Sequence, residues 1–295
     1  MTFPELGRVG VWTSALDALP LGEALEAVTA LDEQGWGALW FGEAYGREAL
    51  TAAGLYLGAS RRMTVATGIA SIYARDAVAT SAAARTLAAA HPGRFLLGLG
   101  VSHAPLVERM RGHAYGRPVQ SMRDYLDAMD AAPYAVAGDE PAAPRVLAAL
   151  GPKMLELARD RCAGAHPYLV TPEHTASARA VLGPDAVLAV EQAVVLSDDE
   201  QAWRARAQWH LEIYTGLPNY RNNWLREGFG EDDLVRGGSD RLKAALVARG
   251  AQAARDRVQE HLDAGASHVC VQVLGTSAFD VPQTDWAELA PVLLT

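Results

Sequence analysis

The chain has 295 residues, half of them hydrophobic and 21% charged, the balance of a protein that buries a substantial core. Its formal net charge is −9 with no basic stripe, so nothing in it is suited to neutralising phosphates along a nucleic acid. No run approaches the roughly 20 apolar residues a membrane span needs, and MTFPELGRVGVW lacks a signal peptide's basic-then-apolar order, so a cytoplasmic protein is expected.

Short apolar runs alternate with longer amphipathic ones. RVGVW (8–12) is the first expected strand, and LGEALEAVTALDEQG follows with Leu21, Leu25, Val28 and Leu31 at helical spacing and Gly35 as its stop. GALWFG (37–42) is the second strand, before a helix near 47–59. MTVATGIA (63–70) is the third, before the alanine-rich helix 76–90, which His91-Pro92-Gly93 ends. RFLLGLG (94–100) is the fourth strand, with a helix near 118–131. RVLAAL (145–150), HPYLV (166–170), AVLAVEQAVVL (186–196) and HVCVQVLG (268–275) supply the fifth to eighth. Helices are expected near 152–161, 172–182, 198–215 and 251–264. Such alternation predicts parallel βαβ units, and eight of them without a visible linker favour one closed (β/α)8 TIM barrel, a single domain over 1–295.

Two stretches break the rhythm. Residues 133–144 (PYAVAGDEPAAP) read as an exposed excursion. Residues 216–240 (GLPNYRNNWLREGFGEDDLVRGGSD) read either as a surface loop or as an insertion over the barrel mouth or an oligomer contact. Cys162 and Cys270 stand far apart without a paired motif, which suggests reduced cysteines and no metal site. Lys153 and Lys243 are the only lysines; with so much alanine, the composition suggests a high-GC bacterial source.

In a barrel of this kind the site forms at the C-terminal ends of the strands. That selects Trp12 and Thr13, Glu43, Gly68 and Ile69, Gly100 to His103, and Gly151 to Met154. Glu43 follows a buried strand directly, where a carboxylate must be solvated, paired or functional; the competing role is capping the next helix. GLGVSH (98–103) lacks the third glycine of a dinucleotide fingerprint, but its glycines let a flat ligand approach the backbone. Ser102 adds a hydroxyl, and His103 is either a structural hydrogen-bonder or an imidazole that titrates near neutrality. Gly151-Pro152-Lys153-Met154 opens a helix whose first N–H groups form an anion site, to which Lys153 adds charge; an ordinary helix start is the plainer reading. No Gly-x-Ser-x-Gly elbow, Walker loop, His-Glu-x-x-His or Cys/His ladder occurs. Ligand loops without a protein nucleophile fit chemistry carried by a cofactor.

DEQGWGALWFGEAYGREALTAAGLYLGAS, followed by MTVATGIASIYARDAVATSAAARTLAAAHPGRFLLGLGVSH, resembles the luciferase-like monooxygenase superfamily. More narrowly, it resembles the coenzyme F-420-dependent oxidoreductases of actinobacteria, and the likeness continues through RPVQSMRDYLDAMD, VLAALGPKMLELARDRCAGAHPYLVTPEHT and HLDAGASHVCVQVL. The resemblance implies a barrel holding a deazaflavin across the strand ends, with a bulge and a non-prolyl cis peptide at Gly68–Ile69 behind the ring. It implies that Thr67 lines the ring and that Glu43 accepts a hydrogen bond from it or from the ribityl side. Gly100, Val101 and Ser102 would lie beside the cofactor, and Gly151, Pro152, Lys153 and Met154 would cradle its phosphate. The sugar-phosphate dehydrogenase branch has a histidine where this chain has Ala44 and a glutamate where it has His103, so that branch is not implied; Glu43 and His103 are the candidates for proton transfer. The expected activity is hydride transfer to or from a small organic substrate in a pocket of Trp12, Tyr45 and Tyr168, with residues 216–240 completing it. An FMN-dependent monooxygenase and a non-catalytic flavin-binding barrel are the alternatives, and the family makes a homodimer plausible.

Overall fold

The computed structural model describes residues 3–137, 142–277 and 280–294. Its strands are β1 (Val9–Trp12), β2 (Ala38–Phe41), β3 (Thr64–Thr67), β4 (Ala70–Ser71), β5 (Phe95–Gly100), β6 (Arg145–Leu147), β7 (Gly164–Ala165), β8 (Val187–Val195), β9 (Val247–Arg249) and β10 (His268–Val273). Every pairing is parallel. β10 lies beside β8 on one edge and β1 on the other, which closes the ring. With β3 and β4 counted as one interrupted strand, β1 to β8 and β10 make the expected eight-stranded barrel; β9 is additional and pairs only with Ala193–Val195 of β8.

Alternation along each strand builds two cores. Inward, Trp12, Trp40, Ala66, Leu96, Val146, Ala189 and Cys270 fill the barrel. Outward, residues such as Val11, Leu39, Val65, Leu97, Val190 and Val271 pack under the helices. Those helices start where polar residues satisfy their first N–H groups. Glu48 caps α2 (Ala49–Ala59), Asp76 caps α3 (Ala77–Ala90), and Thr171 caps α6 (Pro172–Leu182). α1 (Leu21–Gln34) ends at Gly35 with φ +93°, a left-handed stop that glycine adopts without steric cost.

Three expectations need correction. HPYLV (166–170) is not the sixth strand: the ladder runs through Gly164–Ala165, two residues earlier. Pro167 brings no N–H to a ladder, and Leu169 takes φ +54°, outside strand geometry. Residues 216–240 are not a loop. They form α8 (Pro218–Arg226), a short turn at Glu231–Asp233 and the approach to α9 (Asp240–Leu246). With α7 (Glu200–Tyr214) they bury a second cluster, including Trp203, Leu211, Tyr220, Trp224 and Leu246, against Ala193 and Val195. PNYRNNWLR hides its helix because the apolar stripe is short: Tyr220 and Trp224, four apart, are buried with Asn223 between them. Finally, α11 (Gln283–Leu293) lies beyond the last expected element.

Of the expected excursion at 133–144, residues 138–141 lie outside the described residues, and 133–137 carry neither helix nor strand. Among the described residues no helix is long and apolar enough to cross a membrane.

Candidate active site at the barrel mouth

The interruption between β3 and β4 is the cis peptide Gly68–Ile69. It is held from three sides: Gly68 N–H donates to Phe41 O at 2.6 Å, Trp12 Nε1 donates to Gly68 O at 2.9 Å, and Glu43 N–H donates to Ile69 O at 3.1 Å. Thr67 clamps the neighbouring strand, its hydroxyl donating to Gly98 O at 2.8 Å and accepting from Gly98 N at 2.9 Å. Gly98 is required for that approach, since a Cβ there would stand 1.9 Å from Thr67 O. Trp12, Thr67, Gly68, Ile69 and Gly100 are thus brought together.

Glu43 has a side chain only 5% exposed, so its charge needs partners. Its carboxylate accepts from Ser71 N at 2.8 Å and from Ala49 N at 3.3 Å, and it forms an ion pair with Arg75, which also pairs with Glu48. It therefore ties the end of β2 to the far side of the bulge and to the start of α2. Beyond β5, Ser102 holds φ +56°, rare for a residue with a Cβ, and its carbonyl accepts from Tyr115 O–H at 3.2 Å. His103 is half-buried, and burial lowers its pKa, so the ring is neutral at pH 7. It faces Tyr220 of α8 at 5.9 Å between ring centroids.

Tyr168 is the hub of an aromatic wall. Its ring lies 5.1 Å from Trp12 and 5.5 Å from Tyr214. Its hydroxyl donates to Gln272 Oε1 at 2.6 Å, accepts from Tyr214 O–H at 3.3 Å and lies 3.3 Å from His210 Nε2. Tyr45, by contrast, is 79% exposed and has no ring contact with this wall among the described residues.

Beneath the wall, polar side chains are set into the otherwise apolar barrel interior. Trp40 Nε1 donates to His268 Nε2 at 3.1 Å, so the proton of that imidazole is on Nδ1, facing Gly7 O at 2.9 Å. His166 stacks on Trp40 at 4.4 Å and faces Ala189 O with Nδ1 at 2.9 Å; its Nε2 is buried without a partner, next to Gly68. Burial holds both imidazoles down at about 4. Glu191 of β8 accepts Leu169 N–H at 3.0 Å through Oε2, while Oε1 is buried without a partner. Leu169 O in turn accepts from Trp224 Nε1 at 3.1 Å, so both sides of the left-handed residue are anchored by side chains.

The helix α5 (Pro152–Arg161) opens at the fourth corner, with Gly151 at its N-cap, Pro152 in its first turn and no side chain capping it. Lys153 is exposed there, and Met154 is buried. Arg226 of α8 reaches across, its Nη2 3.7 Å from where a Cβ of Gly151 would be. Pro152 has no N–H and Met154 N–H donates to Gly151 O at 3.1 Å, so Lys153 N–H is the first-turn donor left, beside the Arg226 guanidinium, an arrangement that fits an anionic group.

Glu191, His166, His210, Tyr214, Tyr220, Gln272 and Arg226 escape the sequence-based expectation. Only Glu191 left a readable signal there: it is an acid in the middle of the apolar strand AVLAVEQAVVL.

Residues 6–266 match the luciferase-like monooxygenase family. Over 120 residues the chain is 31% identical to Rv3520c of Mycobacterium tuberculosis (strain ATCC 25618 / H37Rv), named provisionally as a coenzyme F-420-dependent oxidoreductase. That match spans 41% of this chain and only 33% of the relative. Among solved structures, an F-420-dependent secondary alcohol dehydrogenase in complex with an F-420-acetone adduct superposes with a TM-score of 0.73 at 14% identity, covering 99% of each chain. The FMN-bound oxygenating constituent of 3,6-diketocamphane monooxygenase from Pseudomonas putida gives 0.67 at 13% identity, covering 97% of this chain and 96% of that one.

Proposed function

The chain belongs to the luciferase-like monooxygenase family, and on that premise we propose that it is a coenzyme F-420-dependent oxidoreductase acting on a small organic molecule. The observation that carries this reading is the pairing of the cis-peptide bulge at Gly68–Ile69 with a cationic corner. Ile69 stands half-buried on the bulge where a planar ring would rest, with Trp12 and His166 packed behind Gly68, and Arg226 and Lys153 lie at the N-terminus of α5 where a phosphate tail would lie. The deazaflavin, when bound, supplies the hydride chemistry that no protein side chain can.

In this reading Trp12 and Thr67 hold the bulge, and Glu43, through Ser71 and Arg75, fixes its far end. Val101 and Ser102 border the ring, and Pro152 and Met154 set the start of the helix under the phosphate. The substrate lies against Trp12 and Tyr168, with neutral His103 available for a hydrogen bond. The chain acts as one domain in the cytoplasm, where free Cys162 and Cys270 stay reduced.

Titration of the purified protein with F-420 and with FMN, followed by tryptophan fluorescence, tests the reading. Preferential quenching by F-420 is the expected result, because Trp12 borders the bulge. Preference for FMN would move the assignment to flavin-dependent oxygenation, and binding of neither would remove it. Lys153→Ala and Arg226→Ala should each weaken F-420 binding about 10-fold, as expected for a partly exposed charge-assisted contact of about 1.4 kcal/mol. Both should leave affinity for the chromophore lacking the phosphate unchanged; an equal loss for the two ligands would sink the phosphate assignment.

A further inference from the structure

The last turn of α8 carries three polar residues whose spacing lets their side chains meet: Asn223, Arg226 and, as the C-cap, Glu227. Glu227 Oε1 accepts from Asn223 Nδ2 at 2.8 Å, and its Oε2 accepts from the Thr171 hydroxyl at 3.1 Å. Asn223 Oδ1 accepts in turn from Arg226 Nη2 at 2.8 Å. The direction of this chain is forced. An ionised carboxylate only accepts, so the amide must turn its NH2 to Glu227, which leaves Oδ1 for a guanidinium that only donates. Asn223 is 1% exposed, so water does not compete for either end.

Thr171 roots the chain in the barrel. It is the N-cap of α6, where its Oγ1 accepts from His174 N–H at 3.3 Å. The His174 ring lies with Nε2 3.0 Å from the carbonyl of Leu150, the residue before Gly151. One hydroxyl thus links both sides of the cationic corner, the helix that carries Arg226 and the backbone that enters α5. Glu227 is costly where it stands. It is half-buried, and it lies at the end of α8 where the helix dipole is negative. A carboxylate kept against those two terms is explained by what it holds in place.

What it holds is the one exposed member of the chain, Arg226. A free arginine side chain loses rotamer freedom when it closes on a ligand, and a tether removes that loss before the ligand arrives. The bond to Asn223 uses one guanidinium donor and leaves the rest for an anion. We propose that Asn223 and Glu227 are positioning residues for the coenzyme's phosphate, holding the Arg226 guanidinium at the entrance to α5 through a network that ends on Thr171. The inference rests on the coenzyme assignment above and adds the residues that set how much the phosphate contributes to binding.

Titration of the full-length protein with F-420 and with the chromophore lacking the phosphate tests it, at pH 8, above the value of about 7 to which burial pushes Glu227. Asn223→Ala should weaken F-420 binding about 5-fold and leave affinity for the shortened chromophore unchanged. In an Arg226→Ala background the same substitution should do nothing more, so the double variant should lose about 10-fold and not about 50-fold. Glu227→Ala and Glu227→Gln both remove the charge, but only glutamine keeps an acceptor for Asn223 Nδ2. Glutamine should therefore restore the affinity that alanine loses, and this pair decides the matter where Asn223→Ala fails to fold. A merely structural network would lower the melting temperature and both affinities together, which overturns the inference. Additive losses in the double variant overturn it too, as do equal F-420 affinities in Glu227→Ala and Glu227→Gln. Wild-type affinity in Arg226→Ala overturns it while the coenzyme reading stands. A wild type that does not bind F-420 removes both.

Discussion

Glu191 has two oxygens in unequal circumstances: Oε2 steadies the left-handed Leu169 and Oε1 is bonded to nothing. That asymmetry has a thermodynamic sign. The folded chain holds the Glu191 proton up to about pH 8, whereas the unfolded chain releases it near 4.5. Below pH 4.5 the residue is neutral in both states and changes nothing. Between these values the unfolded state binds fewer protons, so stability declines as pH rises, by at most about 1.4 kcal/mol per pH unit. Glu191→Gln should therefore melt above wild type at pH 8 and alongside it at pH 4, as read by thermal denaturation. The opposite order would mean that the carboxylate is ionised and partnered. Glu227, pushed to about 7 by burial despite hydrogen bonds from Thr171 and Asn223, bends both curves in the same window and so cancels in the difference.

Among the elements, the β3–β5 pairing depends on a single missing side chain. Gly98→Ala would drive a Cβ into the carbonyl of Thr67, backbone against backbone, and should abolish soluble expression or cost well over about 3 kcal/mol. Gly58→Ala is the control. It sits exposed in α2 with nothing within 4 Å of the added carbon, and should gain about 0.5–1 kcal/mol. Equal effects in chemical denaturation would refute the packing argument. In the second cluster Trp224 is fully buried and its indole N–H holds Leu169 O, so Trp224→Ala should cost about 3–5 kcal/mol. It should also loosen Leu169, and with it the hydrogen bond to Glu191.

For the whole molecule, the barrel was legible because each strand announces itself through near-continuous apolar residues, and each outer helix through a stripe facing them. β7 was placed two residues late because HPYLV is as apolar as a strand, and only the backbone turn at Leu169 excludes it. At the site, the bulge and the α5 entrance were legible because glycine, proline and a rare lysine mark backbone geometry locally. The aromatic wall was not. Tyr168, His210, Tyr214, Tyr220 and Gln272 come from four segments separated by up to 104 positions, and convergence over such distances leaves no local pattern.

β8 is shared along its length: Val187 and Leu188 pair with β7, and Ala193–Val195 pair with β9 instead. α7, α8, α9 and β9 hang from that upper half, while the bulge and the entrance to α5 belong to the ring itself. The consequence is evolutionary. Substitutions in 200–249 can remodel the chamber that selects a substrate while the coenzyme bulge keeps its supports, so lineages built on this scaffold should diversify first in that segment. Swapping it between two relatives, with Arg226 and its partners on α8 retained, should transfer substrate preference with little change in coenzyme affinity.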